Sequence, residues 1–202
     1  MNFHDEINKY EDNINNFIYI LNDGNVPIMF TAIHTVMQNK ENGIKMAESY
    51  TSAVCQYVGN KIQGSYFIKA IDDGIDSNSL VEDEFKQLLL KRIKDNNIKI
   101  LIDIHGSKET YGFDVELGTL NDMTSQSSTI TNLTKCFKNN GINKISINDP
   151  FKGGGLTKYI YENTNIDVIQ LEISYTFRDF NNIGECKKVC DSLIEFVENH
   201  VI

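Results

Sequence analysis

The residues best suited to chemistry are two histidines and a few carboxylates set in apolar runs. In Leu101-Ile102-Asp103-Ile104-His105-Gly106 the side chains of a strand alternate, so Asp103 and His105 share one face and Ile102 and Ile104 the other. An aspartate inside so apolar a run is costly unless it is paired. A histidine that binds a metal through one nitrogen commonly gives its other N–H to a carboxylate, and Asp103 stands two positions away on the same face. His34 repeats the situation at the end of the run 26–33. Taken singly, a strand-end histidine caps a strand or meets solvent. Two such residues among only four histidines point to a shared metal site.

Open zinc sites of hydrolases take three protein ligands, often two histidines and a carboxylate. The carboxylate is expected from the segment after His34, as Glu41 in a polar turn or Glu48 in the first turns of a following helix. Glu48 is favoured, because a helix gives it a fixed direction. Glu172 lies in Val168-Ile169-Gln170-Leu171-Glu172-Ile173-Ser174, on the face opposite Ile169, Leu171 and Ile173. Burial there raises a carboxyl pKa toward neutrality, which suits a general base acting on water. The alternative is an ion pair with Arg178 or Lys158. In Asn148-Asp149-Pro150-Phe151-Lys152-Gly153-Gly154-Gly155, successive glycines ahead of a helix let backbone N–H groups face an anion. The string lacks the spacing of a phosphate loop, and a tight turn accounts for it equally well.

These residues need a scaffold. Residues 17–21 and 26–33 read as short strands around the turn Asn22-Asp23-Gly24-Asn25, an antiparallel hairpin. Helical spacing covers 45–62, 80–93, 129–138, 156–161 and 183–198. Strand-like runs cover 66–71, 98–104, 114–120, 144–148 and 166–173. Strands separated by helices imply crossover connections and a largely parallel sheet covered on both faces. The expectation is an α/β fold: one three-layer domain over residues 1–202 with a mixed, mostly parallel sheet. Ligands of such sheets bind outside the carboxyl ends of the strands, where His34, His105, Asn148 and Glu172 fall.

Composition narrows the partners. A net charge of −9 argues against a duplex-binding protein, which needs a basic face to displace counterions. No apolar run reaches the ~20 residues of a membrane span, and Met-Asn-Phe-His-Asp-Glu lacks the basic start of a signal peptide. A cytoplasmic protein is expected, with a small-molecule substrate and neither nucleic acid nor membrane as partner. Cys55, Cys136, Cys186 and Cys190 show no paired metal spacing and are expected as buried free thiols.

Six pieces together resemble a known family. They are Ala32-Ile33-His34, Lys45-Met46-Ala47-Glu48 with Thr51, Asp103-Ile104-His105-Gly106, Glu116-Leu117-Gly118-Thr119, Asn148-Asp149-Pro150-Phe151-Lys152-Gly153-Gly154 and Leu171-Glu172-Ile173. In this order the chain resembles the N-formylglutamate amidohydrolase family, relatives of the zinc carboxypeptidases and aspartoacylases. Two features depart from the family: Thr31-Ala32-Ile33-His34-Thr35-Val36 replaces a Ser-Pro-His-x-Gly string, and no Asp-x-Asn-Arg segment is visible. The resemblance implies a phosphorylase/hydrolase-like fold and one zinc ion on His34 and His105, with an acidic third ligand that matches Glu48. It also implies Glu172 as general base and proton shuttle. The expected activity is hydrolysis of an amide bond in a small N-acyl amino acid or peptide. Arg178, Lys158 or the N–H groups of Gly153 to Gly155 would steady the developing oxyanion, and Asn148, Gly153, Gly154 and Lys158 would hold substrate. The competing expectation is a non-catalytic protein that binds a small anion on the glycine run.

Overall fold

A computed structural model describes residues 2–11, 18–40, 43–79 and 82–201. Phe17, Glu41 and Leu80, each part of an expectation above, lie outside the described residues. The main sheet is built from β1 (Tyr19–Asn22), β2 (Val26–Ala32), β5 (Gly64–Lys69), β6 (Ile100–Ser107), β7 (Val115–Gly118), β8 (Ile145–Ile147) and β9 (Asp167–Ser174). Its seven strands run in the order β1-β5-β2-β6-β9-β7-β8. Strands β3 (Gln38–Lys40) and β4 (Gly43–Lys45) form a separate antiparallel hairpin. The helices are α1 (Phe3–Glu11), α2 (Thr51–Lys61), α3 (Glu84–Asp95), α4 (Ser127–Asn139), α5 (Gly155–Thr164) and α6 (Ile183–His200).

Strands β5, β2, β6 and β9 are parallel; β1 runs antiparallel to β5 and β7 antiparallel to β9, and β8 follows parallel to β7. The sheet is mixed and mostly parallel, with helices on both faces, as the alternation of elements implies. On one face Ile102, Ile104, Ile169, Leu171 and Ile173 join the buried residues of α1, α2, α4 and α6. On the other, Met29, Leu101 and Val168 pack with Phe85 and Leu89 of α3 and Leu156 and Ile160 of α5. Further along the strands this second face turns polar, because register sets Asp103 beside Gln170 and His105 beside Glu172. The site grows from that change. All four cysteines are buried free thiols. Among the described residues no helix is long and apolar enough to cross a membrane.

Two expectations about elements need correction. Strand β1 does not form a hairpin with β2; it pairs with β5, Tyr19 lying opposite Lys69 and Asn22 opposite Tyr66. The fully buried Ile28, Met29, Phe30 and Ala32 require neighbours on both edges of β2, and β5 and β6 supply them in parallel. The helix expected over 45–62 begins only at Thr51. Residues 43–45 are β4, and Tyr50 at φ 70° breaks the backbone just before the helix.

Candidate metal centre

His34 follows β2, His105 sits near the end of β6, and Glu48 lies in the turn ahead of α2, so three separate segments converge. Glu48 owes its direction to this turn and not to a helix. Its backbone N–H donates to the His34 carbonyl at 2.7 Å, and the Thr51 hydroxyl donates to the Glu48 carbonyl at 2.7 Å. The carboxylate is thereby aimed across the sheet edge. Its Oε1 lies 3.0 Å from His34 Nδ1 and its Oε2 3.2 Å from His105 Nδ1, while the Gly106 N–H donates to Oε2 at 2.9 Å. All three side chains are buried, and they offer ligand atoms within 4.8 Å of one another.

The far nitrogens are held as well. His105 Nε2 is 2.8 Å from Asp103 Oδ2, and His34 Nε2 is 2.7 Å from Asp76 Oδ1. Held at Nε2 by an aspartate, each ring turns its Nδ1 toward Glu48. Two imidazole nitrogens and a carboxylate oxygen, each fixed from behind, form a donor set that fits a divalent transition metal. Burial alone would push the Glu48 carboxyl up, but the charges and hydrogen bonds of His105 and His34 outweigh it and hold Glu48 well below the usual carboxylate range. Burial likewise works against the His105 cation, yet Asp103 and Glu48 raise its pKa well above the ordinary value.

Glu172 stands one strand over, in register with His105, and accepts a hydrogen bond from Gln170 Nε2 at 2.9 Å. Burial raises its pKa; His105 opposes that rise and the charge of Glu48 adds to it. Neither Arg178 nor Lys158 forms an ion pair with it among the described residues. Beyond Glu172, also in register, is Glu116 on β7. Glu116 is fully buried, its Oε1 accepts the Phe151 N–H at 2.8 Å, and its Oε2 has no partner. Burial lifts its pKa to about 7, and the charge of Glu172 adds to this against the backbone N–H groups of Phe151 and Asp149.

The other expected residues sit apart from this cluster or behind it. Arg178 is buried and committed to backbone: Nη1 donates to the Ser49 carbonyl at 2.6 Å, Nε to Ile173 at 3.2 Å and Nη2 to Ser107 at 3.5 Å. It thus joins the ends of β6 and β9 to the turn that carries Glu48. Gly106 leaves room for it, since a Cβ there would lie 2.5 Å from Arg178 Nε. Asn148 serves a turn, its Oδ1 accepting the N–H groups of Thr119 at 2.8 Å and Asn121 at 3.3 Å. At the start of α5 the Gly155 N–H donates to the Asn78 carbonyl at 2.8 Å and the Leu156 N–H to Asn78 Oδ1 at 3.4 Å, so this end of the glycine run already has acceptors. Gly153 takes φ 105° there, a value that favours glycine, and Gly154 caps the helix. Lys158 is half-exposed on α5, 3.8 Å from Glu162.

No protein-family model and no curated protein sequence matches the chain. Solved structures do. The chain is similar to N-formylglutamate amidohydrolase from Ralstonia eutropha JMP134, with 11% identity and a TM-score of 0.68 over 89% of this chain and 97% of that one. It is similar to a bacteriophage poly-gamma-glutamate hydrolase, with 15% identity and a TM-score of 0.62 over 90% and 88% of the two chains. It is also similar to a metallo-carboxypeptidase from Burkholderia cenocepacia, with 12% identity and a TM-score of 0.52 over 85% of this chain and 57% of that one. The fold is that of these hydrolases.

Sequence reasoning missed Glu116 and Asp76. Glu116 escaped because the rule of carboxyl ends looks at the wrong end of an antiparallel strand: β7 meets the site with its beginning. The signal was present nonetheless, a glutamate inside the apolar Val115-Glu116-Leu117. Asp76 opens the polar string Asp76-Ser77-Asn78-Ser79, where no apolar run marks an aspartate as unusual.

Proposed function

We propose that the protein is a zinc-dependent hydrolase of an amide bond in a small N-acyl amino acid or peptide. The observation that carries this reading is the buried His34–Glu48–His105 group with Glu172 in register beside His105. The similar folds of an N-formylglutamate amidohydrolase and a metallo-carboxypeptidase support it. His34, Glu48 and His105 hold the ion. When bound there, zinc lowers the pKa of water from 15.7 to about 7 and polarises a carbonyl. Glu172 takes the proton of the attacking water and returns it to the leaving amine, and its raised pKa suits both transfers. Asp76 and Asp103 fix the two imidazoles, and Arg178 holds the Glu48 turn in place.

Metal analysis of protein purified without added metal, followed by assays on N-acyl amino acids and dipeptides, tests the reading. The wild type should carry about one zinc per chain, by the ligand count of such sites. His105→Ala should lose both metal and hydrolysis while staying folded. Glu172→Gln should keep the metal and lose about 10²–10⁴-fold in kcat. One equivalent of zinc retained by His105→Ala would sink the ligand assignment.

A further inference from the structure

In an amide hydrolase the substrate's carbonyl oxygen gains negative charge that a protein donor can hold. Arg178 points its nitrogens at three backbone carbonyls, Lys158 faces solvent, and the Gly155 N–H is given to Asn78. One cation does reach the cluster. Lys45, the last residue of β4, places Nζ 2.7 Å from Glu48 Oε1, the same oxygen that faces His34 Nδ1. Its side chain is 33% exposed, against 7% for Glu48, so the ammonium lies where the buried carboxylate meets solvent. Its charge is also felt by Glu172, whose pKa it pulls down against burial. The hairpin fixes where this side chain starts. Gln38, the register partner of Lys45, is fully buried and donates Nε2 to the Ile33 carbonyl at 2.8 Å, one residue before His34. The Lys45 backbone is thereby tied to the segment carrying His34, while its four-carbon stem keeps rotational freedom.

From this placement we infer that Lys45 is a catalytic residue, its ammonium donating a hydrogen bond to the carbonyl oxygen of the scissile amide and holding the negative charge that develops there. The inference rests on the function proposed above. As a metal ligand Glu48 would share its negative charge with the ion, which would weaken its hold on the ammonium. The substrate oxygen then becomes the acceptor within reach of the stem. In this role the side chain supplies a charge and a donor, and Glu172 remains the group that moves a proton.

Zinc-loaded wild type, Lys45→Met and Lys45→Arg, assayed on N-formylglutamate, N-acetylalanine and alanylalanine, provide the test. Lys45→Met should lower kcat about 10²–10³-fold with little change in KM, as expected for loss of one oxyanion donor. Lys45→Arg, which keeps a donor and a charge, should recover part of the loss. A second readout is independent of turnover: chelator competition should show zinc held at least as tightly by Lys45→Met as by wild type, since no ammonium then shares Glu48. Wild-type kcat in Lys45→Met at equal zinc content overturns the inference and leaves the lysine a counter-ion of Glu48. A zinc-loaded wild type inactive on every substrate overturns the proposed function, and the inference with it.

Discussion

Replacing Glu116 by glutamine tests whether a carboxyl is held protonated beside the candidate base. Burial raises Glu116 from 4.5 to about 7, so between these values the folded chain keeps a proton that the unfolded chain has released. The stabilising contribution is therefore present below the unfolded pKa and is lost as pH rises through about 7. At 1.36 kcal/mol per pH unit the full effect is about 3.4 kcal/mol, of which about 2.5 kcal/mol falls between pH 5 and pH 8. Glutamine has the shape of the protonated acid, keeps an oxygen for the Phe151 N–H and cannot ionise. In urea melts run with chelator, Glu116→Gln should therefore gain about 2.5 kcal/mol on wild type between pH 5 and pH 8. With an m value of about 2–3 kcal/mol/M, the two midpoints separate by about 1 M over that range. Glu172 is present in both proteins, so its own titration largely cancels. Parallel stability curves for the two proteins from pH 5 to pH 8 would refute the reasoning, because they would mean that Glu116 ionises as freely in the folded chain as in the unfolded one.

Two further outcomes follow from the groups behind the candidate metal centre. Asp76→Ala removes the acceptor of His34 Nε2 and should weaken zinc binding about 10–100-fold in chelator competition; an unchanged affinity would show that the aspartate does not orient the ring. Arg178→Met leaves the carbonyls of Ser49, Ile173 and Ser107 without their guanidinium and should cost about 3 kcal/mol in urea unfolding, and a loss under about 1 kcal/mol would deny it a holding role.

Much of the architecture was legible because burial leaves its mark on composition. The run 98–104 places Ile98, Ile100, Ile102 and Ile104 on one face with Leu101 on the other, as suits a central parallel strand, and β6 occupies that place. Asp103 and His105 were legible as a pair because strand alternation is a local rule, and the structure joins them at 2.8 Å. The partner of β1 was not legible. A turn signal reports that the chain reverses locally, not which strand then lies alongside, and the burial of β2 on both edges decided for β5. The start of α2 was misplaced for a similar reason. Residues 45–50 have helical spacing, but Glu48 must reach two histidines, and the turn tied to the His34 carbonyl overrides local preference.

The sequence by itself determined which residue types were available and which of them share a face: an α/β sheet, two histidines at strand ends, and glutamates inside apolar strands where an unpaired charge is costly. Tertiary structure decided which of these meet. It brought Glu48 to His34 and His105, set Asp76 behind His34 from a loop 42 residues away, and turned β7 so that its first residues face Glu172. It also turned Arg178 onto backbone carbonyls and left Lys45 as the cation beside Glu48. The reason is physical. Alternation and burial act over a few residues and are written in the chain, whereas strand order, strand direction and the path of a loop are set by how whole faces pack, and no short string of residues encodes them.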